Sequence, residues 1–404
     1  HIISIGLGVA ALGQSAAAQS GFLSFGSGPG EVNVISSQRV SADGETVIGF
    51  ASAGFAGGPF RWTRETGIRP IPGPPGVTDR AAKAVSPDGQ SVAGNGADAW
   101  VWFASTGESV SVGRPPSGLR VGFDAISNEP VAAGSALIID RTGSLDDAFL
   151  PAYWSPDGGL VVAPPVLPDE EQPRWGARQI LEDGRMYVVS LGQPHPFLYT
   201  PGGGYEELAW GPSGAIDPTG TTIVGGRRIG FNDQGFPVNE AVVWTREGEF
   251  ILPTNEPGES AGAFALSDDG RFILGGTGTI DRALWVDQEP PVDLIQYATN
   301  RGVDLSGWVF INVIRMSGDG RVFAGPVNRF GDPDWPQGRV DMGVLTLEPC
   351  PADVNFDGLL LPDDFTEWVA RFNAKHIRCD QNGDNACDGS DFFAWVVGYS
   401  AGCP

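Results

Sequence analysis

A turn-and-strand unit recurs along most of the chain, and this repeat constrains the fold more than any other feature. Each clear copy has a hydrophobic residue and Ser ahead of an Asp-Gly turn and then an alternating apolar stretch, which is typical of a β-hairpin. The clearest copies begin at Val40, Val85, Leu266 and Met316, and weaker ones centre on Asn128, Asp183-Gly184 and Thr219-Gly220. Seven copies of one short β unit favour a repetitive all-β architecture.

Each unit continues beyond its hairpin. An aromatic strand, such as Phe60 to Thr63 or Ala283 to Val286, follows most copies, and a glycine turn and a fourth short strand come next. Four strands at a mean spacing of about 46 residues match the blade of a β-propeller, whose repeats run about 40 to 50 residues. We therefore predict an all-β fold with a propeller of seven four-stranded blades over residues 19–349. Six or eight blades remain alternatives, because the middle copies are degenerate.

The two ends of the repeat region complement each other. The seventh unit ends at Val344 to Leu347 without a fourth strand, and a spare strand at Gly21 to Gly26 precedes the first unit. We predict that the two complete one blade, because this would close the ring and remove exposed sheet edges.

The repeat also resembles a known family. The aromatic strands are similar to the local consensus Ala-Phe-x-Trp-Thr of bacterial extracellular HAF repeats over most of residues 22–347, and Val303 to Trp308 resembles the way such proteins end. The resemblance implies a repeat architecture and an extracellular location, but no reaction. The aromatic residues are interpreted as blade packing rather than as a ligand-stacking surface.

Two acidic loops of one design occupy the C-terminal segment. Each loop places oxygen-bearing side chains at positions 1, 3, 5 and 12 of a twelve-residue loop, which is the pattern of a calcium site that adds a backbone carbonyl at position 7. The predicted ligands are Asp353, Asn355, Asp357, the Leu359 carbonyl and Asp364 in the first loop, and Asp380, Asn382, Asp384, the Ala386 carbonyl, Asp388 and Asp391 in the second. Cofactor Ca²⁺ at two sites is therefore expected, with a pair of solvated acidic turns as the alternative.

The loops differ in detail. Position 6, which needs a positive φ, is Gly358 in the first loop and Asn385 in the second, and both residue types tolerate that backbone. Position 9 is the apolar Leu361 in the first loop but Asp388 in the second. The second loop is therefore expected to bind calcium more tightly.

Each loop is followed by apolar residues at i, i+3, i+4 and i+7, which predict a helix over residues 364–373 after the first loop and over residues 391–400 after the second. We expect the apolar faces of the two helices to pack together. No complete helix enters either loop. The segment resembles a dockerin module of the cysteine-bracketed kind, which begins Cys350-Pro-Ala-Asp and ends Ala401-Gly-Cys403. This resemblance covers residues 350–404 and implies a cohesin-like or other surface receptor as partner.

All four cysteines lie in this small segment, which cannot bury enough apolar surface to be stable without disulfides or metal. Four cysteines allow three pairings. We favour Cys350 with Cys403, closing the ends of the module, and Cys379 with Cys387, bracing the second loop. A zinc site is the alternative, but no Cys-x-x-Cys pair is present and only His376 is near.

The N-terminal residues point to export. Residues 2–12 form a short apolar run before three alanines at 16–18, as in a signal peptide, and residues 1–18 are taken as a signal-peptide remnant without its basic leader. The run is too short to span a bilayer, and no later stretch is predicted to do so. The net charge of −24 argues against nucleic acid and anionic membranes as partners. The protein is expected to be secreted or associated with the cell surface.

Catalytic signals are sparse. His195 stands alone in a proline-rich loop, and the acidic pairs Asp146-Asp147 and Glu170-Glu171 lie in insertions. Adjacent acids point apart on an extended chain, so a two-carboxylate site would need acids from several blades in a dry pocket. The favoured function is a non-catalytic exported propeller that binds an extracellular ligand or partner and is anchored by the calcium module. A self-associating structural subunit and a polysaccharide-acting enzyme on the same anchor are the alternatives.

Overall fold

The computed structural model describes residues 20–25, 34–51, 58–77, 80–96, 98–113, 118–138, 148–166, 175–190, 196–208, 214–232, 234–311, 314–329, 339–384 and 386–402. These residues form 29 β-strands and three α-helices. The strands assemble into seven antiparallel sheets, the blades of a propeller. The predicted propeller of seven blades, followed by C-terminal helices, is confirmed.

Six blades are built from four consecutive strands, in chain order from the central channel outward. The first two blades contain β2 (Val34–Val40), β3 (Thr46–Ala51), β4 (Gly58–Thr63), β5 (Gly67–Pro70), β6 (Ala81–Val85), β7 (Ser91–Asn95), β8 (Ala99–Phe103) and β9 (Ser109–Gly113). The next two contain β10 (Gly118–Ile126), β11 (Ala132–Ile138), β12 (Ala148–Ser155), β13 (Gly159–Val162), β14 (Trp175–Ile180), β15 (Met186–Ser190), β16 (Phe197–Thr200) and β17 (Gly204–Glu207). The fifth and sixth contain β18 (Ala215–Ile216), β19 (Thr222–Phe231), β20 (Pro237–Thr245), β21 (Gly248–Ile251), β22 (Ala261–Leu266), β23 (Phe272–Thr277), β24 (Ala283–Val286) and β25 (Val292–Asp293).

The seventh blade joins the two ends of the propeller. Strand β29 (Arg339–Thr346) pairs on one side with β28 (Val322–Arg329) and on the other with β1 (Gly21–Phe25). The inner position is divided between β26 (Trp308–Phe310) and β27 (Arg315–Met316), which both pair with β28. The predicted closure is found, since the N-terminal strand supplies the outer strand of the last blade.

Aromatic packing reinforces this closure. Phe22 lies 6.0 Å from the rings of both Trp308 and Phe310, and Phe25 stacks on Trp62 of the first blade at 5.1 Å. Strand β1 therefore contacts the blades on both sides of the ring junction.

The repeated Ser-x-Asp-Gly segment has a structural explanation in the turn between the first two strands of a blade. The serine is buried, and its hydroxyl donates to the Asp two residues later at 2.5–2.7 Å and accepts from the backbone N–H five residues later at 2.9 Å. This arrangement is found at Ser41, Ser86, Ser267 and Ser317. The serine side chain thus satisfies polar groups of a turn that is buried within the propeller.

The same turns connect neighbouring blades. The N–H of Ala42 donates to the Pro87 carbonyl at 3.0 Å, and that of Glu182 donates to the Pro218 carbonyl at 3.0 Å. At the ring junction, the N–H of Asp319 donates to the Ala42 carbonyl at 3.3 Å. The repeated motif therefore serves both the hairpin and the contact between blades.

The helices are α1 (Leu294–Asn300), which follows the sixth blade, and α2 (Pro362–Ala374) and α3 (Gly389–Ala401) in the C-terminal segment. A 3-10 turn at Ile377–Cys379 separates the last two. Both C-terminal helices begin two residues earlier than predicted, because Asp364 and Asp391 accept the N-cap backbone N–H from their third helical positions. No helix among the described residues has the length and apolar character needed to cross a membrane.

Candidate calcium loops and central channel

The last carboxylate of each acidic loop closes that loop. One oxygen of Asp364 accepts from the Val354 N–H at 2.9 Å, and the other accepts from the Leu361 N–H at 2.8 Å. Asp391 accepts the equivalent bonds at 2.9 and 2.8 Å in the second loop. Both carboxylates have no exposed surface. The two loops therefore share one closing scheme.

The residues at positions 3 and 5 also behave alike. Asn355 and Asn382 each accept a hydrogen bond at 3.0 Å from the backbone N–H two residues later. Asp357 and Asp384 do the same at 2.8 Å. These turns, which short Asn and Asp side chains favour, fold each acidic segment into a loop.

Two backbone positions in the loops carry a positive φ. Gly358 at position 6 has a φ of 82°, and its counterpart Asn385 lies outside the described residues. The sequence did not indicate position 4, where Phe356 has a φ of 57° and Gly383 one of 77°. The ring of Phe356 packs 4.5 Å from the Arg378 guanidinium, a contact that holds a conformation unusual for a bulky residue. Gly383, at position 4 of the second loop, is the sequence feature that could have indicated a positive φ at this position.

In the second loop, Asp380, Asp384 and Asp391 bring carboxylate oxygens within 4.8 Å of one another. Asp388 is directed differently, since it accepts from the N–H and the hydroxyl of Ser390 at 2.8 Å each, and these bonds lower its pKa. A residue at position 9 commonly reaches the ion through water. The structure therefore groups three of the predicted carboxylates and leaves Asp388 capping α3.

In the first loop, Asp353 is buried with one carboxylate oxygen unsatisfied by the described residues. It is fully buried, one oxygen accepts from the Gly358 N–H at 3.1 Å, and the other has no hydrogen-bond partner among the described residues. Burial, followed by the charges of Asp364 and Asp357, raises the pKa of Asp353 to about 7. An ionised carboxylate in this position is costly unless a cation compensates it. This oxygen-rich set fits a hard cation such as Ca²⁺.

A disulfide joins Cys379 to Cys387, the pair favoured from the sequence, with their Cα atoms 5.6 Å apart. It links the residue before the second loop to a residue within it. Cys350 is also disulfide-bonded, and its predicted partner Cys403 lies outside the described residues. Bonded cysteines cannot serve as thiolate ligands, and the zinc alternative therefore gains no support.

Helices α2 and α3 pack as a related pair. The rings of Trp368 and Trp395 lie 6.3 Å apart. Each indole N–H donates to the carbonyl just before the other loop, Trp368 to Cys379 at 3.3 Å and Trp395 to Ala352 at 3.2 Å. The two halves are thus interlocked, and the predicted packing of their apolar faces is present.

Part of this apolar surface is not covered. Phe365 is 42% exposed, Phe393 72% and Val397 68%, and Phe392 and Val396 are also exposed. A contiguous exposed apolar surface of this kind is typical of an interaction site.

Ion pairs hold the C-terminal segment on the sixth blade. Arg378 is buried, pairs with Asp287 at 2.7 Å and donates to the Val354 carbonyl at 3.1 Å. Arg371 pairs with Glu289 at 2.7 Å near the surface. The sequence did not indicate these contacts, because the partners are far apart along the chain.

The inner strands of all seven blades surround a central channel with a cavity volume of about 1180 Å³. At its turn end, partial burial and then nearby carboxylates, of which Glu182 is first, raise the pKa of Asp268. Both side chains are nevertheless exposed. These two carboxylates therefore do not lie in a dry pocket. His195 and the acidic pairs at 146–147 and 170–171 lie outside the described residues.

Comparison with known proteins shows similarity in the fold alone. No protein-family model and no curated protein match the chain. An oligogalacturonate lyase in complex with manganese is 12% identical, covers 82% of this chain and 97% of its own, and has a TM-score of 0.50. The same enzyme from Vibrio parahaemolyticus is 9% identical, with coverage of 82% and 98% and a TM-score of 0.47. The propeller domain of the Trilobed protease from Pyrococcus furiosus is 10% identical, with coverage of 77% and 94% and a TM-score of 0.45. At such identities the similarity shows the propeller fold alone.

Proposed function

We propose that the protein is an exported, non-catalytic propeller that binds an extracellular ligand or partner and is anchored through a calcium-dependent, dockerin-like module at residues 350–404. The observation that carries this proposal is the duplicated loop geometry. One hydrogen-bond scheme folds both loops around carboxylates that repel one another in the absence of a cation.

The donor set supports calcium in both loops. Side-chain oxygens of Asp353, Asn355, Asp357 and Asp364 would hold the first ion, and those of Asp380, Asn382, Asp384 and Asp391 the second, each with the predicted carbonyl of Leu359 or Ala386. A bound Ca²⁺ supplies charge compensation and stiffens the loop. The protein's own contribution is the hydrogen-bond framework that directs these oxygens.

The exposed apolar surface of α2 and α3 is the proposed docking face. Phe365 on one helix and Phe392 on the other occupy equivalent places and contact each other at 6.1 Å. A cohesin-like receptor on the cell surface would cover these rings, so that calcium acts by holding the two helices in register. Secretion and surface attachment belong to the same proposal.

The proposal is tested with the full chain and envelopes of the source cell. We expect binding with calcium and release by chelator, and strong loss in the double variant Asp380→Asn, Asp384→Asn. The control variant Asp157→Asn, Glu247→Gln removes the same charge from exposed positions on the propeller and should bind normally. Attachment that persists in chelator and in the double variant would place the anchor in the propeller.

One observation favours the structural-subunit alternative. The long hairpin of β19 and β20 presents exposed Ile229, Phe231 and Phe236. If this hairpin mediates self-association, sedimentation will show concentration-dependent oligomers that substitution of the three residues by Ser disperses. The proposed function instead requires no such assembly.

A further inference from the structure

The middle of the channel has a different chemistry from its turn end. Several inner strands carry a register shift at an equivalent place, at Asp124 in the third blade, Arg178 in the fourth and Phe264 in the sixth. A bulge of this kind redirects a side chain out of the alternating pattern. Arg39 and Arg315, two residues before the turn serine of the first and seventh blades, line the same cavity.

The charges at this level are unbalanced. Arg178 pairs with Asp124 at 3.2 Å. Arg315 makes no ion pair with any described residue, and its Nε is buried without a hydrogen-bond partner. Burial, followed by the charge of Arg39, lowers the pKa of Arg315 to about 10, which leaves the guanidinium charged at neutral pH. Asp124 thus interacts with Arg178 and Arg39, whereas the charge of Arg315 has no carboxylate partner among the described residues, in a chain whose net charge is −24.

An apolar ring lies beside this positive region. Phe264 belongs to the sixth blade, next to the blade of Arg315, and is 36% exposed although it lines the cavity. Aromatic residues facing a water-filled cavity offer a surface on which a ring can stack, and an Arg guanidinium binds carboxylates through paired hydrogen bonds.

We propose that the channel binds a carboxylated sugar, such as a uronic acid unit of an acidic polysaccharide, with the carboxylate on Arg315, next to the positive charge of Arg39, and the sugar ring on Phe264. The acidic turn end repels such a ligand and favours entry from the opposite mouth. This inference rests on the ligand-binding part of the proposed function and does not involve the calcium module.

The test is titration calorimetry of the full chain with oligosaccharides of glucuronic acid, with neutral glucose oligosaccharides of equal length as control. We expect the acidic ligand alone to bind, and Arg315→Gln to weaken binding by about tenfold or more, since a charge-assisted contact is lost. Phe264→Ala should weaken it as well. Arg69→Gln, which removes an exposed charge from β5, should not.

Controls keep the outcome interpretable. The unfolding temperature of Arg315→Gln should be no lower than that of the wild type, because the change removes an unpaired, partly buried charge. If this variant fails to fold, Phe264→Ala replaces it. Absent binding of the acidic oligosaccharide, equal binding of the neutral one, or unchanged affinity in the variants overturns the inference. Binding should survive chelator even if calcium-dependent anchoring fails, so the two proposals fail separately.

Discussion

The two acidic loops share one hydrogen-bond design but lie in different surroundings. In the first loop Asp353 has no exposed surface and Asp357 is half-buried, and Asn300 of α1 donates to a backbone carbonyl of the loop at 2.5 Å. In the second loop Asp384 is exposed and Asp380 is half-buried. The local sequence therefore determines how each loop folds, whereas its position against the propeller determines the electrostatic cost of its empty state.

Because of this difference, a bound cation is expected to have a different effect in each loop. A cation in the first loop would relieve a buried carboxylate at the contact with the propeller, and one in the second would act mainly on the loop and α3. Removal of calcium is expected to loosen residues 350–404 while the blades keep their β structure.

The largest effect is expected from the ion pair that seats the first loop. Arg378→Ala removes the ion pair with Asp287, which keeps its second partner Arg271 at 2.9 Å, and the hydrogen bonds to the Val354 and Val286 carbonyls. Each such charge-assisted hydrogen bond typically contributes about 1.5 to 3 kcal/mol. Calorimetry should then show the C-terminal segment unfolding separately from the propeller. The matched variant Arg371→Ala removes a more exposed pair and should cost about 1 kcal/mol or less. Equal effects of the two variants would contradict a buried attachment.

The next largest difference between the loops is expected in how the stability of the calcium-free protein depends on pH. The pKa of Asp353 is raised from 3.8 to about 7 in the folded state, so the folded chain holds a proton that the unfolded chain releases. The stability that Asp353 contributes is therefore fully present below pH 4 and is lost as the pH rises to 7, by about 4 kcal/mol at 1.36 kcal/mol per unit.

Denaturant unfolding in chelator across this range measures the slope. Asp353→Asn should remove most of it, saturating calcium should do the same, and Asp380→Asn in the second loop should leave it in place. A slope that Asp353→Asn does not change would show that the first loop is not strained in this way.

The smallest difference is expected between alanine substitutions at two glycines, Gly358 in the first loop and Gly383 in the second. A Cβ on Gly358 would come within 2.7 Å of the Tyr297 carbonyl oxygen and 2.8 Å of the Asn300 Cβ, whereas one on Gly383 meets nothing within 4 Å. Both have positive φ, so alanine costs about 1 kcal/mol of backbone strain at either place. Thermal unfolding should rank Gly358→Ala below Gly383→Ala, and the reverse order would break the comparison.

Local patterns carried most of what could be predicted. The four Ser-x-Asp-Gly copies and three weaker ones indicated seven blades, because each copy builds its own turn, and the spare strand at residues 21–26 indicated closure. The ion pair of Arg378 with Asp287 and the charge repulsion between Arg39 and Arg315 could not be predicted, since only the closed ring and the attached C-terminal segment bring these residues together. Asp388 was expected as a ligand, but the same carboxylate also suits the N-cap of α3, and spacing alone does not separate the two roles.

The central claim is that both loops bind calcium and that the first does so against the propeller. Calorimetric calcium titration of the full chain, beside Asp364→Asn and Asp391→Asn, tests it most directly. We predict two ions per chain, with one lost in each variant, and a shift in the unfolding of the C-terminal contact with the propeller only for the first-loop ion. No calcium uptake by the wild-type chain, or loss of both ions in either variant, would contradict the account.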